Sequence, residues 1–106
     1  MAVSAARSRR PPLARESRPR LARHARLRHD PARDRWVLLV PERVLVPDGT
    51  AVAVLQLCDG ARTIDGIVAH LASRYAADPE LIRTDCLVLL QDLADKGFVI
   101  APEGEQ

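Results

Sequence analysis

The residues able to do covalent or metal chemistry are few in this chain, and they stand apart. Cys58 and Cys86 are separated by 28 positions, a spacing that fits neither a CxxC redox pair nor a zinc knuckle. They read as two small apolar thiols of a reduced, cytoplasmic protein. His70 falls off the apolar stripe around it and has no second ligand in register, so it reads as a surface histidine. Asp92 and Asp95 lie one helical turn apart and read as solvated carboxylates. No Ser/His/Asp or Cys/His arrangement and no paired histidines with a carboxylate occur, so the pattern points away from catalysis. The Asp59-Gly60 pair follows a helical stretch without a Gly-rich run or Lys, which excludes a phosphate loop. The remaining chemistry is that of binding, through backbone groups and surplus apolar side chains.

Three short strands supply the backbone groups. Ala25–His29 precedes the turn signal Asp30-Pro31, Trp36–Val40 is a Val/Leu run, and Val44–Val46 is bounded by Pro41-Glu42-Arg43 and Pro47. Apolar runs of this length between prolines read as strands. Leu27 is the expected inward residue of the first, and Trp36 is expected as a lid on a small core. No later long strand is available for Val44–Val46, so it is expected at an open sheet edge. Such an edge must be protected or used to bind an extended peptide.

Everything after Asp48 reads as helix. Asp48 or Thr50 caps a first helix whose apolar face is Val52, Leu55 and Cys58, with Ala51 and Val54 beside them. Thr63 caps a second, with Ile64, Ile67, Val68 and Leu71 on one face. Asp78-Pro79 starts a third, which Gly97 ends, and Phe98–Ile100 forms a short closing strand. On the third helix Ile82, Cys86, Leu89 and Leu93 form the expected core stripe. Arg83, Leu87 and Leu90 fall on one flank with Ala94, and Leu81 and Val88 on the other. A helix apolar over more than half its circumference is buried on two sides or bound to a partner.

Charge is strongly segregated. Residues 1–35 hold eleven arginines against three acids, a net +8, while residues 36–106 hold five bases against eleven acids, a net −6. Residues 1–20 are expected to be a disordered Arg-rich tail, residues 21–101 the folded domain and residues 102–106 a flexible end. No apolar run reaches the ~20 residues of a membrane span, and no secretory signal follows the N-terminal arginines. The expected fold is α+β: a small winged helix-turn-helix-like domain, a three-stranded antiparallel sheet followed by three helices. A DNA-binding regulator is the alternative that this fold suggests. Against it, Glu80 to Lys96 on the third helix carries four acids and two bases, the wrong sign for phosphate contacts.

Several pieces carry a family resemblance in order. They are RPRL from Arg18, RLRHD from Arg26, LLVPE from Leu38, CDG from Cys58 with Thr63 following, and Asp85-Cys86 with the leucines up to Leu93. Together they resemble the pyrroloquinoline quinone (PQQ) biosynthesis protein D family from about Arg18 to Val99. His24 departs from the family, which often has Gly before the first strand. The resemblance implies a non-catalytic peptide chaperone without a cofactor. It would bind the ribosomal precursor peptide of PQQ and present it to a radical S-adenosylmethionine enzyme that cross-links a Glu and a Tyr. No nucleic-acid or membrane partner is expected, and the chain is expected to be a monomer or weak homodimer. In the family's leader-peptide recognition element the leader adds to the third strand and lies against the third helix. Arg43, Val44, Leu45 and Val46 are then the expected strand contacts, and Arg83, Leu87 and Leu90 the expected flank. Arg83 would be available to an acidic leader residue, and the Leu81 and Val88 side is the alternative.

Overall fold

The computed structural model describes residues 12–101; most of the expected N-terminal tail and the whole of the expected flexible C-terminus lie outside the described residues. Strands β2 (Arg26–Asp30), β3 (Arg35–Val40) and β4 (Arg43–Leu45) form an antiparallel sheet in the order β2-β3-β4. Its ends fall within a residue or so of those expected. The register aligns Leu27, Leu38 and Leu45 across the three strands, so one sheet face delivers a row of leucines to the core. The β3–β4 turn has Pro41 followed by Glu42 at φ 70°, and Val40 pairs with Arg43 across it. Proline presets the first turn position, and the second must accept a positive φ.

Two further strands close the domain. β1 (Arg20–Leu21) pairs antiparallel with β5 (Val99–Ile100). The closing strand was expected from the sequence, its partner was not. The helices are α1 (Gly49–Gln56), α2 (Ile64–Tyr75) and α3 (Pro79–Asp95). Each starts on a side-chain cap that satisfies an otherwise unpaired amide. Asp48 accepts from Ala51 N at 2.8 Å, Thr63 from Gly66 N at 3.0 Å and Asp78 from Glu80 N at 2.9 Å. α1 is shorter than expected, so Cys58 lies beyond it, half-buried, with its thiol donating to Val54 O at 3.4 Å.

The core gathers Ile64, Ile67, Val68 and Leu71 of α2, as their spacing requires, against Leu38, Val54, Leu55 and Val99. On α3 the buried residues are Cys86, Leu90, Leu93 and Ala94. The expected stripe therefore needs correction. Ile82 and Leu89 are only half-buried, and Leu90, expected on a binding flank, is wholly inside. At 100° per residue the buried stripe is turned by about 55° from the expected one. α3 rolls toward α2, which carries an unbroken apolar face, and its far side turns outward.

A second correction concerns residues 12–20, expected to be disordered. Ser17 and Pro19 are buried, and Leu13 packs on the core. Ile64 N donates to Ser17 O at 2.9 Å, Asp65 N to Arg15 O at 3.0 Å and Gly60 N to Pro19 O at 3.0 Å, while the Arg18 guanidinium meets Ala61 O. The segment thus satisfies amides at the start of α2, where a helix leaves N–H groups unpaired. Its two prolines also lower the entropy lost on ordering.

Candidate functional site

β4 pairs with β3 on one side only; among the described residues no strand lies along its other edge. β2 is the opposite edge of the same sheet, and its sequence, RLRHD, is largely charged. Charged side chains discourage strand addition, so the two edges are not equivalent. β4 carries Val44, 54 % exposed, and runs on to Val46, 53 % exposed. Pro47 then ends the strand, since it has no amide to donate.

The chain passes from β4 through Pro47 directly into Asp48, the α1 cap, at one wall of a cleft. This cleft, of about 360 Å³, is floored by Ala51 and Val54 of α1 and by Ile82, Cys86 and Leu89 of α3. Asp48, Thr50 and Asp85 supply its polar lining. On α3, Leu81, Asp85 and Val88 recur at the spacing i, i+4, i+7 and share the adjoining face. Leu81 is 66 % exposed and Val88 68 %. Of the five large exposed apolar residues among those described, four are therefore on β4, its extension or this face of α3, Tyr75 being the fifth. Leu81 and Val88 are exposed apolar side chains on the helix that walls this concave surface, a combination that marks an interaction site.

The other flank of α3 is already occupied. Arg83 Nε donates to Asp65 Oδ1 at 3.0 Å, and its Nη1 lies 2.7 Å from Glu80 Oε2. Its side chain is only 17 % exposed. These partners, Glu80 first and then Asp65, raise the Arg83 pKa further. Asp65 is held below the ordinary carboxylate value by the Arg83 hydrogen bond, with Arg15 adding to it from 3.2 Å. Two turns along, Leu13 N donates to Gln91 Oε1 at 2.8 Å. Arg83, Leu87 and Gln91 form an i, i+4, i+8 row, so residues 13–15 cross the flank on which Arg83, Leu87 and Leu90 were expected to receive a peptide. Arg83 is committed to carboxylates, Leu87 is half-buried against the core, and Leu90 has no exposed surface. The cleft residues Ile82, Asp85 and Leu89 were absent from the expected site. The sequence signal for them was the surplus of Leu81 and Val88 on the same side.

The thiols are placed for packing. Burial pushes Cys58 up to about 12, with Cys86 and then Asp59 adding to the shift. Burial, then Asp85, pushes Cys86 up to about 11. Neither holds an appreciable thiolate at neutral pH. His70 is exposed, Asp92 pairs with Lys96 at 2.9 Å and Asp95 accepts from Gln91 at 3.0 Å. Trp36 is half-buried beside His29, with ring centroids 5.4 Å apart. No group of three or more His, Cys, Asp or Glu among the described residues could hold a metal ion, and none of their helices is long and apolar enough to cross a membrane.

Comparison with known proteins places this geometry in a context. The family model described as "Coenzyme PQQ synthesis protein D (PqqD)" matches residues 35–99. A "PqqA binding protein" of Rhodopseudomonas palustris (strain BisB5) is 59% identical over 75 residues, spanning 71% of this chain and 74% of that protein. A "Bifunctional coenzyme PQQ synthesis protein C/D" of Methylorubrum extorquens is 48% identical over 71 residues, 67% of this chain and 19% of that larger protein. The solution structure of a PqqD truncation of Methylobacterium extorquens PqqCD superposes with a TM-score of 0.72 at 43% identity, covering 83% of this chain and 94% of that one. That truncation is described as a functional, stand-alone recognition element for ribosomally synthesised, post-translationally modified peptides.

Proposed function

The chain belongs to the PqqD family, and from that premise we propose that it is a non-catalytic peptide chaperone of PQQ biosynthesis, binding the precursor peptide PqqA and presenting it to a radical S-adenosylmethionine enzyme. The observation that carries this reading is the open edge of β4 leading into an apolar cleft against α3. The leader adds as a strand along Arg43 to Val46, with backbone hydrogen bonds giving affinity that asks little of its sequence. Its alternate side chains rest on Leu81 and Val88 and enter the cleft at Ile82 and Leu89. This is the alternative flank of the helix, and the burial of Leu90 and the pairing of Arg83 support it.

The magnitudes suffice. Net contributions of about 0.5–1.5 kcal/mol per strand hydrogen bond and about 1.5–3 kcal/mol per buried apolar side chain offset the cost of ordering a disordered leader. Micromolar affinity, about −8 kcal/mol, is within reach of three or four such bonds and two or three anchors. The M. extorquens relative, in which the matching region is a small part of a longer protein, supports work alongside other components of the pathway. The regulator alternative is disfavoured by α3, whose exposed side adds Asp85, Asp92 and Asp95 to the apolar face.

Titration of the purified chain with PqqA peptide and with duplex DNA at physiological salt tests the reading. Saturable peptide binding that weakens at least tenfold in Val88→Asp, with unchanged melting, supports it. Steeply salt-dependent DNA binding without a response to peptide contradicts it.

A further inference from the structure

The cleft carries more information than its shape, because its two charged residues, Asp48 and Asp85, are both acids and its lining holds no Lys or Arg. Asp48 spends one carboxylate oxygen on the α1 cap, accepting from Ala51 N at 2.8 Å. The Asp85 carboxylate makes no hydrogen bond or ion pair among the described residues. It lines the cleft beside Cys86 and Leu89 and lies between Leu81 and Val88 on the exposed face. In the free protein water solvates its carboxylate. A guest strand lying over Leu81 and Val88 removes that water, and a carboxylate covered without a partner is strongly unfavourable.

We propose that Asp85 is a specificity determinant of the peptide site, selecting a leader segment that places a Lys or Arg side chain at the cleft mouth beside an apolar anchor. This rests on the peptide-binding reading above and adds the chemistry of the guest. The spacing follows from the two backbones. Asp85 and Leu89 are four residues apart, ~6 Å along the helix axis at 1.5 Å per residue, and same-face residues of a strand are separated by two rises of 3.2–3.4 Å, ~6.6 Å. The cation and the apolar anchor therefore stand two residues apart on the guest strand. The apolar side chain enters among Val54, Ile82 and Leu89, while the ammonium or guanidinium meets Asp85, with Asp48 across the cleft adding to the attraction. An acidic side chain at the same position faces two carboxylates and is rejected. Selection by a repelled alternative as well as an attracted one is a common source of peptide specificity.

The test pairs protein and peptide variants. PqqA peptide is titrated into the full chain and into Asp85→Asn and Asp85→Lys. A second peptide set replaces each Lys or Arg in turn by Glu. Melting curves accompany every variant, and the exposure of Asp85 leads to the expectation of unchanged melting. The expected result is a loss of several-fold in affinity for Asp85→Asn and of more than tenfold for Asp85→Lys. One Glu-substituted peptide should bind Asp85→Lys more tightly than it binds the unaltered chain. Parent-like affinity in both Asp85 variants, or no Glu-substituted peptide that favours Asp85→Lys, overturns the assignment while leaving the chaperone reading intact. Failure of the unaltered chain to bind PqqA at all overturns both.

Discussion

At the scale of single residues, the same helix α3 carries positions with opposite expectations. Leu81 and Val88 are two-thirds exposed, so exchange for Asp should change stability by no more than about 0.5 kcal/mol while weakening peptide binding at least tenfold. Leu90 has no exposed surface, and Leu90→Ala should cost about 2–5 kcal/mol of stability through the cavity left behind. Chemical unfolding and peptide titration of the three variants separate the roles; a stable Leu90→Ala chain with impaired binding would return that residue to the surface. Asp65 gives a pH expectation. Its native pKa is depressed below the ordinary 3.8, first by the Arg83 hydrogen bond and then by Arg15. A depressed carboxylate contributes stability above its unfolded pKa and loses it as pH falls through the native value. Asp59, held low chiefly by the Arg62 amide and then that of Ala61, acts in the same direction. Stability should therefore fall as pH drops below about 4, and Asp65→Asn should make that fall shallower; urea midpoints across the acid range measure it. An acid limb as steep as that of the unaltered chain would remove Asp65 from the account. The legible residues were those whose roles are local: Thr63 and Asp78 declare themselves as caps, and Asp48 as one of two candidates with Thr50, because their partners lie two or three positions away. Arg83 was only half legible: Glu80 lies three positions away, but Asp65 lies 18 positions off and Arg15 much further.

At the scale of elements, the strands and helices follow from patterns that single segments contain. The four-residue α2 stripe from Ile64 to Leu71 is buried as its spacing demands. The roll of α3 is not contained in α3. Nine apolar side chains spread round one helix allow several core stripes, and the choice is made by packing against α2 and β5. Residues 12–20 illustrate the opposite failure. A composition of Arg, Pro and Ala signals disorder, yet their backbone finds partners at the start of α2 and on α3. Removing residues 1–20 should thus destabilise the domain by leaving the Asp65 and Ile64 amides and the Gln91 side chain without their partners, and should lower the melting temperature. Equal melting would show the segment to be dispensable. α2 ends on Ala76 at φ 52°, where Gly is favoured because it lacks a Cβ. Ala76→Gly should raise stability by about 0.5–1 kcal/mol, read as a higher urea midpoint.

At the scale of the whole molecule, a thin core is made of one three-stranded sheet, three helices and the β1–β5 closure, and one side of it remains open. The two edges of the three-stranded sheet differ in kind: β2 is largely charged, while β4 is short, apolar and contiguous with the cleft. The proposed peptide site therefore lies at one end of the sheet and leaves the Arg-bearing β2 edge free. The central claim is that a guest chain completes this sheet at β4. Amide hydrogen exchange, followed residue by residue by NMR with and without saturating PqqA peptide, tests it most directly. New protection is expected within Arg43 to Val46, accompanied by shifts at Leu81, Asp85 and Val88, and none along β2. Unchanged exchange in β4 at saturation, or protection that falls on β2 instead, would contradict it.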